Sequence, residues 1–229
     1  MNLIIGAFTI GLILSLLSVG MLISFRMVKF VDITVDGSIT LGASLAAVLI
    51  MNGWSPWFAT GVAFLAGMTA GSITGVLYTK FKIQEILAGI LMMTALYSVN
   101  LRIMGRSNIP LLDTKTVFEI PEKFLLGFIG NESSMLVFGW QVSVIDLSVF
   151  IGSLIIVAVV GWLLYRFLLT HFGTALRATG NNVQMVRAQG INNNGMVVFS
   201  LALSNGLVAV SGALLAQYQG FADVQMGIG

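Results

Sequence analysis

Few residues in this chain of 229 can do chemistry, and they are scattered. His171 is the one histidine and cysteine is absent, so thiolate metal sites, disulfides and cysteine nucleophiles are excluded. No Ser-His-Asp set, no H-E-x-x-H and no G-x-x-x-x-G-K-[ST] occurs, and no lysine follows Gly180, Gly190 or Gly195 to make a phosphate loop. The sequence predicts no catalytic residue, no metal ligand set and no nucleotide site of its own. What remains is the chemistry of binding and positioning. Asp36, Tyr97, Asn100 and Asn205 lie in or beside apolar runs, where a polar side chain is costly unless it is hydrogen-bonded or meets a polar solute. They are candidates to line a solute path, and each has a plainer reading. Asp32 and Asp36 can cap helix ends near water, Asn100 and Asn205 can tie helices together, and Tyr97 can anchor an interface. Glu85 reads as a first-turn acid favoured by the helix dipole, and His171 as a solvated boundary residue.

Hydrophobic residues make up 57% of the chain and charged residues 9%, against about 25% charged in soluble domains. The apolar residues fall in runs near twenty, the length that crosses a bilayer, and ten-residue alternating strands are absent. An all-α, polytopic transmembrane bundle follows, read as one domain over residues 1–229. Six spans are expected, at roughly 3–25, 37–52, 57–79, 83–100, 147–169 and 196–216. The second, about sixteen residues, is short enough to belong to a broken helix that starts at membrane depth. Asp36 and Ser38 look like its caps. Within the hydrophilic segment 101–141 the stretch FLLGFIG is too short to cross. The first run has no preceding lysine or arginine and is too long for a signal-peptide core, so it is a span.

The net charge of +2 is small and the basic residues sit between spans, which marks topology rather than a nucleic-acid surface. Arg26, Lys29, Lys80, Lys82, Arg166, Arg177 and Arg187 fall on one side, which places those links in the cytoplasm and the N-terminus outside. On the third span Ala63, Gly67, Gly71 and Gly75 recur every fourth position, a small-residue ridge for close helix packing.

Between the fifth and sixth spans lies HFGTALRATGNNVQMVRAQGIN, polar and glycine-punctuated, with the whole loop at 171–194. Gly173 is expected to break the preceding helix, Thr179 or Asn181 to cap a new one, and Gly190 to end it after VQMVRAQ. Val183, Met185 and Val186 make one side of that short helix apolar, with Arg187 on its flank. Such a helix needs a surface to persist. Both a partner protein and the lipid headgroups would serve.

The string G-T-A-L-R-A-T-G-N-N-x-x-x-x-R-A-Q-G-I-N resembles the cytoplasmic coupling loop of binding-protein-dependent ABC importer permeases, in the branch that includes branched-chain amino-acid permeases. Matching positions include Gly173, Arg177, Ala178, Asn181, Ala188, Gly190, Ile191 and Asn192. The resemblance continues through SNGLVAVSGALLAQYQGFADVQMGIG and, upstream, SVGMLISFRMVKFVDITVDGSITLGA. It implies a multi-pass permease subunit of the bacterial inner (plasma) membrane. Coupling residues would be Gly173, Arg177, Ala178, Gly180, Asn181, Val183, Val186, Arg187, Gly190 and Ile191. The implied partners are cytoplasmic ATPase subunits that carry the ATP and Mg, a second permease subunit, an extracytoplasmic solute-binding protein and membrane lipid. The implied solute is an amino acid or a similar small polar metabolite, with both branched-chain and aromatic amino acids within the resemblance. Family members usually continue with further spans, so the chain is expected to be truncated at its C-terminus. The competing classes are an ion-coupled transporter, which would show mid-span acids and a repeated half, an intramembrane enzyme, and a non-transporting membrane scaffold.

Overall fold

Serines and glycines spaced along the last apolar run set the architecture, because they let other helices reach its backbone. The computed structural model describes residues 2–112, 114–119, 121–122, 134–137 and 140–227. Among these, six helices are long and apolar enough to cross a membrane, as the runs predict. In chain order, α1 spans Asn2–Leu22 and passes into a π-helical turn, Ile23–Met27. Then come α2 (Thr34–Met51), α3 (Pro56–Thr79) and α4 (Glu85–Met104). After the long connection follow α5 (Val144–Leu168), α6 (His171–Asn181), α7 (Val183–Ala188) and α8 (Asn193–Gln219). The expected short apolar piece at 124–130 lies outside the described residues.

Local chemistry explains the helix ends. Ser55 caps α3, accepting from the Phe58 N–H at 3.3 Å, and Pro56 occupies the first helical position, where a missing N–H costs nothing. Trp54 stacks on Phe58 with ring centroids 5.0 Å apart. Glu85 lies in the first turn of α4, as its charge favours. The residues after α1 and α3, Lys29 and Lys82, both adopt left-handed backbone (φ 56° and 55°), uncommon for a side chain with a Cβ.

The core is α8, and α2 and α8 are the most buried of the six spans. Ser204 and Ser211 of α8 donate to the Gly20 and Ile13 carbonyls of α1 at 2.7 and 2.8 Å, which pairs the two helices antiparallel. On α3, Gly67, Gly71 and Gly75 face α8, and Ala63 packs with Ala46 and Ala213. A Cβ at Gly67 or Gly71 would collide with the Asn205 or Leu201 carbonyl, backbone that cannot rotate away. The ridge is thus the α3 face against α8. Gly42 and Gly212 serve the α2–α8 contact in the same way, lying on the Ala209 and Ile39 carbonyls.

Strand is scarce. β1 (Asn108–Pro110) and β4 (Phe221–Asp223) pair antiparallel through Ile109↔Ala222, joining the chain after α4 to the chain after α8. β2 (Ser134–Val137) and β3 (Trp140–Ser143) pair antiparallel before α5.

Candidate functional site

Helix α5 stops at Leu168, and Thr170 caps the next helix by accepting from Gly173 N at 3.2 Å. Gly173 does not break a helix as expected. It lies in the first turn of α6, where a Cβ would meet the Leu168 backbone and the Phe167 carbonyl. Its role is a close fold-back. Arg177 donates through Nη2 to the Leu168 carbonyl at 3.1 Å, closing the open end of α5 with a cation where the helix dipole favours one. Thr179 is buried inside α6 and bonds back to the Ala175 carbonyl, while Asn181 ends that helix and Ala178 is half-buried. The cap of α7 is Asn182, accepting from Met185 N at 3.0 Å, and neither Thr179 nor Asn181 supplies it.

Helix α7 runs Val183–Ala188, and Gly190 follows at φ 77°, the left-handed stop that its residue type predicts. Its apolar side divides. Val186 is fully buried within the chain, whereas Val183 and Met185 are 40% and 48% exposed. Part of the surface that this short helix needs is supplied by the chain itself: Val186 anchors α7 and leaves Val183 and Met185 outward. Ile191 N bonds the Val186 carbonyl at 3.2 Å and turns the chain into α8.

The loop is braced against the rest of the fold. Gly180 lies directly on the Met27 carbonyl at the end of the π-turn. Leu176, fully buried, packs in a cluster with Ile23, Met27, Leu164 and Leu207. Phe172 meets Phe199 of α8 edge-on, centroids 4.8 Å apart. A cavity of about 370 Å³ remains between this loop, the α3–α4 link and the start of α8, with Lys82, Thr179, Arg187 and Asn193 on its walls.

Beyond the π-turn the chain is non-helical over residues 29–33 and re-enters the bundle. Phe30 is buried with Val197 and Leu201, and its ring meets Tyr78 edge-on at 5.1 Å. Asp32, 8% exposed, accepts from Thr34 N at 2.9 Å and from Asn205 Nδ2 at 2.6 Å. Asn205 also donates to the Leu201 carbonyl and accepts from Ser38 Oγ at 2.6 Å. Asn205 lies twelve residues into α8, roughly 18 Å along its axis, so the break beside α2 is held against the middle of that helix. Phe30 and Asp32 turn their side chains inward against the bundle, while Lys29 and Val31 stay exposed. The short second span is part of a broken element, as its length suggests. Its capping differs from expectation: α2 starts at Thr34, the residue before it makes no side-chain cap, and Ser38 binds Asn205 instead.

Of the four candidate path residues, the structure gathers three. Asp36, Tyr97 and Asn100 line one pocket of about 20 Å³ between α2 and α4. Asn205 stands apart from that pocket, with every side-chain polar atom engaged in holding the break. Sequence reading missed this lock. The available signal was an acid, a serine and an asparagine in otherwise apolar segments, but their pairing spans 173 and 167 residues, which no local pattern reveals. No group of three or more His, Cys, Asp or Glu able to hold a metal occurs among the described residues.

A family model described as "Branched-chain amino acid transport system / permease component" matches residues 3–229. The chain belongs to that family. It is a multi-pass membrane protein of the permease type, with six candidate spans. It is 42% identical to the "Tyrosine transport system permease protein" of Clostridioides difficile (strain R20291), over 99% of this chain and 68% of that protein. It is 35% identical to protein RP368 of Rickettsia prowazekii (strain Madrid E), over 100% of this chain and 73% of that one. Similarity extends to the "Autoinducer 2 import system permease protein LsrC" of Escherichia coli (strain K12 / DH10B), at 28% over 95% of this chain and 57% of that protein. No solved structure matches the chain.

Proposed function

We propose that this permease is the membrane subunit of an ATP-driven importer for an amino acid in a bacterial inner membrane. The ATP and Mg would be held by a cytoplasmic ATPase, a second permease subunit would complete the path, and an extracytoplasmic binding protein would deliver the solute. The observation that carries the reading is the braced loop: a six-residue helix presenting Val183 and Met185 outward while Val186, Leu176 and Gly180 tie it to the bundle. Such a unit receives force on its exposed side and passes it to the π-turn and the α2 break. Every chemical step of ATP hydrolysis occurs on the partner, while this chain's residues bind, orient and move. Membership of the branched-chain amino-acid permease family and the likeness to the C. difficile tyrosine permease support an amino acid as solute.

Co-purification with the ATPase subunit of the same importer tests this. Wild type retains the ATPase, and Met185→Asp, which places a charge on the outward face, releases it while the permease still folds. Retention by Met185→Asp, or no retention by wild type, contradicts the docking role.

A further inference from the structure

The small pocket between α2 and α4 offers acceptors almost exclusively. Asp36 is half-buried in the first turn of α2, and its carboxylate has no cation and no hydrogen-bond donor among the described residues. Asn100 is 1% exposed. Its Nδ2 donates to the Gly37 carbonyl at 3.2 Å, which fixes the amide's orientation and leaves Oδ1 buried with no partner among the described residues. A buried polar oxygen without a donor costs about 1–3 kcal/mol, so such an atom in a pocket wall marks a place for a ligand. The Thr40 hydroxyl spends its proton on the Asp36 carbonyl at 3.2 Å, so it too faces the pocket as an acceptor. The Tyr97 side chain is 44% exposed at the mouth. Met93 and Val224 close the apolar remainder.

The pocket's volume, about 20 Å³, suits one water-sized group. A carboxylate, an amide oxygen and a hydroxyl lone pair around such a space match a group with three donors and one positive charge. That group is a primary ammonium. We infer that the Asp36–Asn100 pocket binds the ammonium group of an amine-bearing solute, with the rest of the solute leaving past Tyr97. This deepens the amino-acid reading and rests on it for the solute's passage, although the binding itself can be measured separately.

The first measurement is thermal unfolding of the purified chain in detergent, titrated with methylammonium chloride and, at equal ionic strength, with sodium chloride. Methylammonium near saturation is expected to raise the wild-type Tm by about 2–4 °C. Asp36→Asn abolishes the shift without disturbing the helix, because its carboxylate holds no other group, and Asn100→Leu abolishes it as well. No wild-type shift, an equal shift with sodium, or a shift retained by both variants would overturn the ammonium site. The second measurement is amino-acid uptake by the assembled importer, where Asp36→Asn is expected to lower uptake by about tenfold or more with ATP hydrolysis retained. A methylammonium shift without amino-acid uptake supports the site and removes the transport reading. Uptake equal in wild type and Asp36→Asn, with no shift, removes the site and keeps the transport reading.

Discussion

A side-chain amide facing other helices needs partners for two N–H donors and an acceptor, and Asn205 finds them in Asp32, Leu201 and Ser38. Replacing it by leucine fills similar volume but strips Asp32 of its 2.6 Å donor and Ser38 of its acceptor. Asn205→Leu is expected to destabilise the detergent-solubilised protein by about 1–3 kcal/mol, read as a lower unfolding temperature. Ser38→Ala, which removes one bond and no charge partner, should cost less than half of that. Equal stabilities for all three proteins would show that the lock holds nothing. At this scale the sequence was legible in residue type and silent on pairing. Asp36, Tyr97, Asn100 and Asn205 stood out because polar groups in apolar runs are expensive. Only the fold separates the three that share a pocket from the one that does not.

Helices were the most legible level, because twenty apolar residues in lipid have no alternative to a helix that satisfies its own backbone. The α3 ridge was visible too, since Ala63, Gly67, Gly71 and Gly75 repeat at a spacing that keeps one face small. Its partner, α8, lies more than 120 residues away and had no signature in the spacing. The ridge gives a contrast within one helix. Gly71→Ala drives a Cβ into the Leu201 carbonyl and is expected to cost about 1–3 kcal/mol, whereas Gly61→Ala meets nothing within 4 Å and should fold like wild type. Fluorescence-detected size-exclusion after heating measures both, and equal loss in the two variants would contradict the packing face. In the loop, the apolar count was legible but its direction was not. Val183, Met185 and Val186 read as one face, yet Val186 turns inward because the chain folds back from α6 to α8 over it. Val186→Asp is therefore expected to lower the yield of folded protein, and Met185→Asp to leave it unchanged. Equal expression of the two would place Val186 outside the core.

For the whole molecule, the directions of the helices agree with the alternation read from the basic residues. The start of α1 lies against the far end of α8, where Gly6 meets Tyr218, while the end of α1 lies against the α6–α7 loop, where Met27 meets Gly180. Sidedness in the membrane is a property of the charges, and the absence of cysteine makes it measurable without background. With single cysteines introduced, Trp54→Cys should react with an impermeant maleimide on intact cells and Gln184→Cys only after the membrane is opened. The reverse pattern would invert the topology and put the loop on the wrong side for an ATPase.

The central claim is that the exposed face of α7 meets a protein and not the lipid headgroups. A photoreactive p-benzoylphenylalanine at Met185, irradiated in membranes that contain the ATPase, tests it directly. The account predicts a crosslinked adduct of the permease with the ATPase that is absent when the same probe replaces Trp54, exposed at the opposite end of the bundle. Crosslinking to lipid alone from Met185 would contradict it and leave α7 as a surface helix without a coupling role.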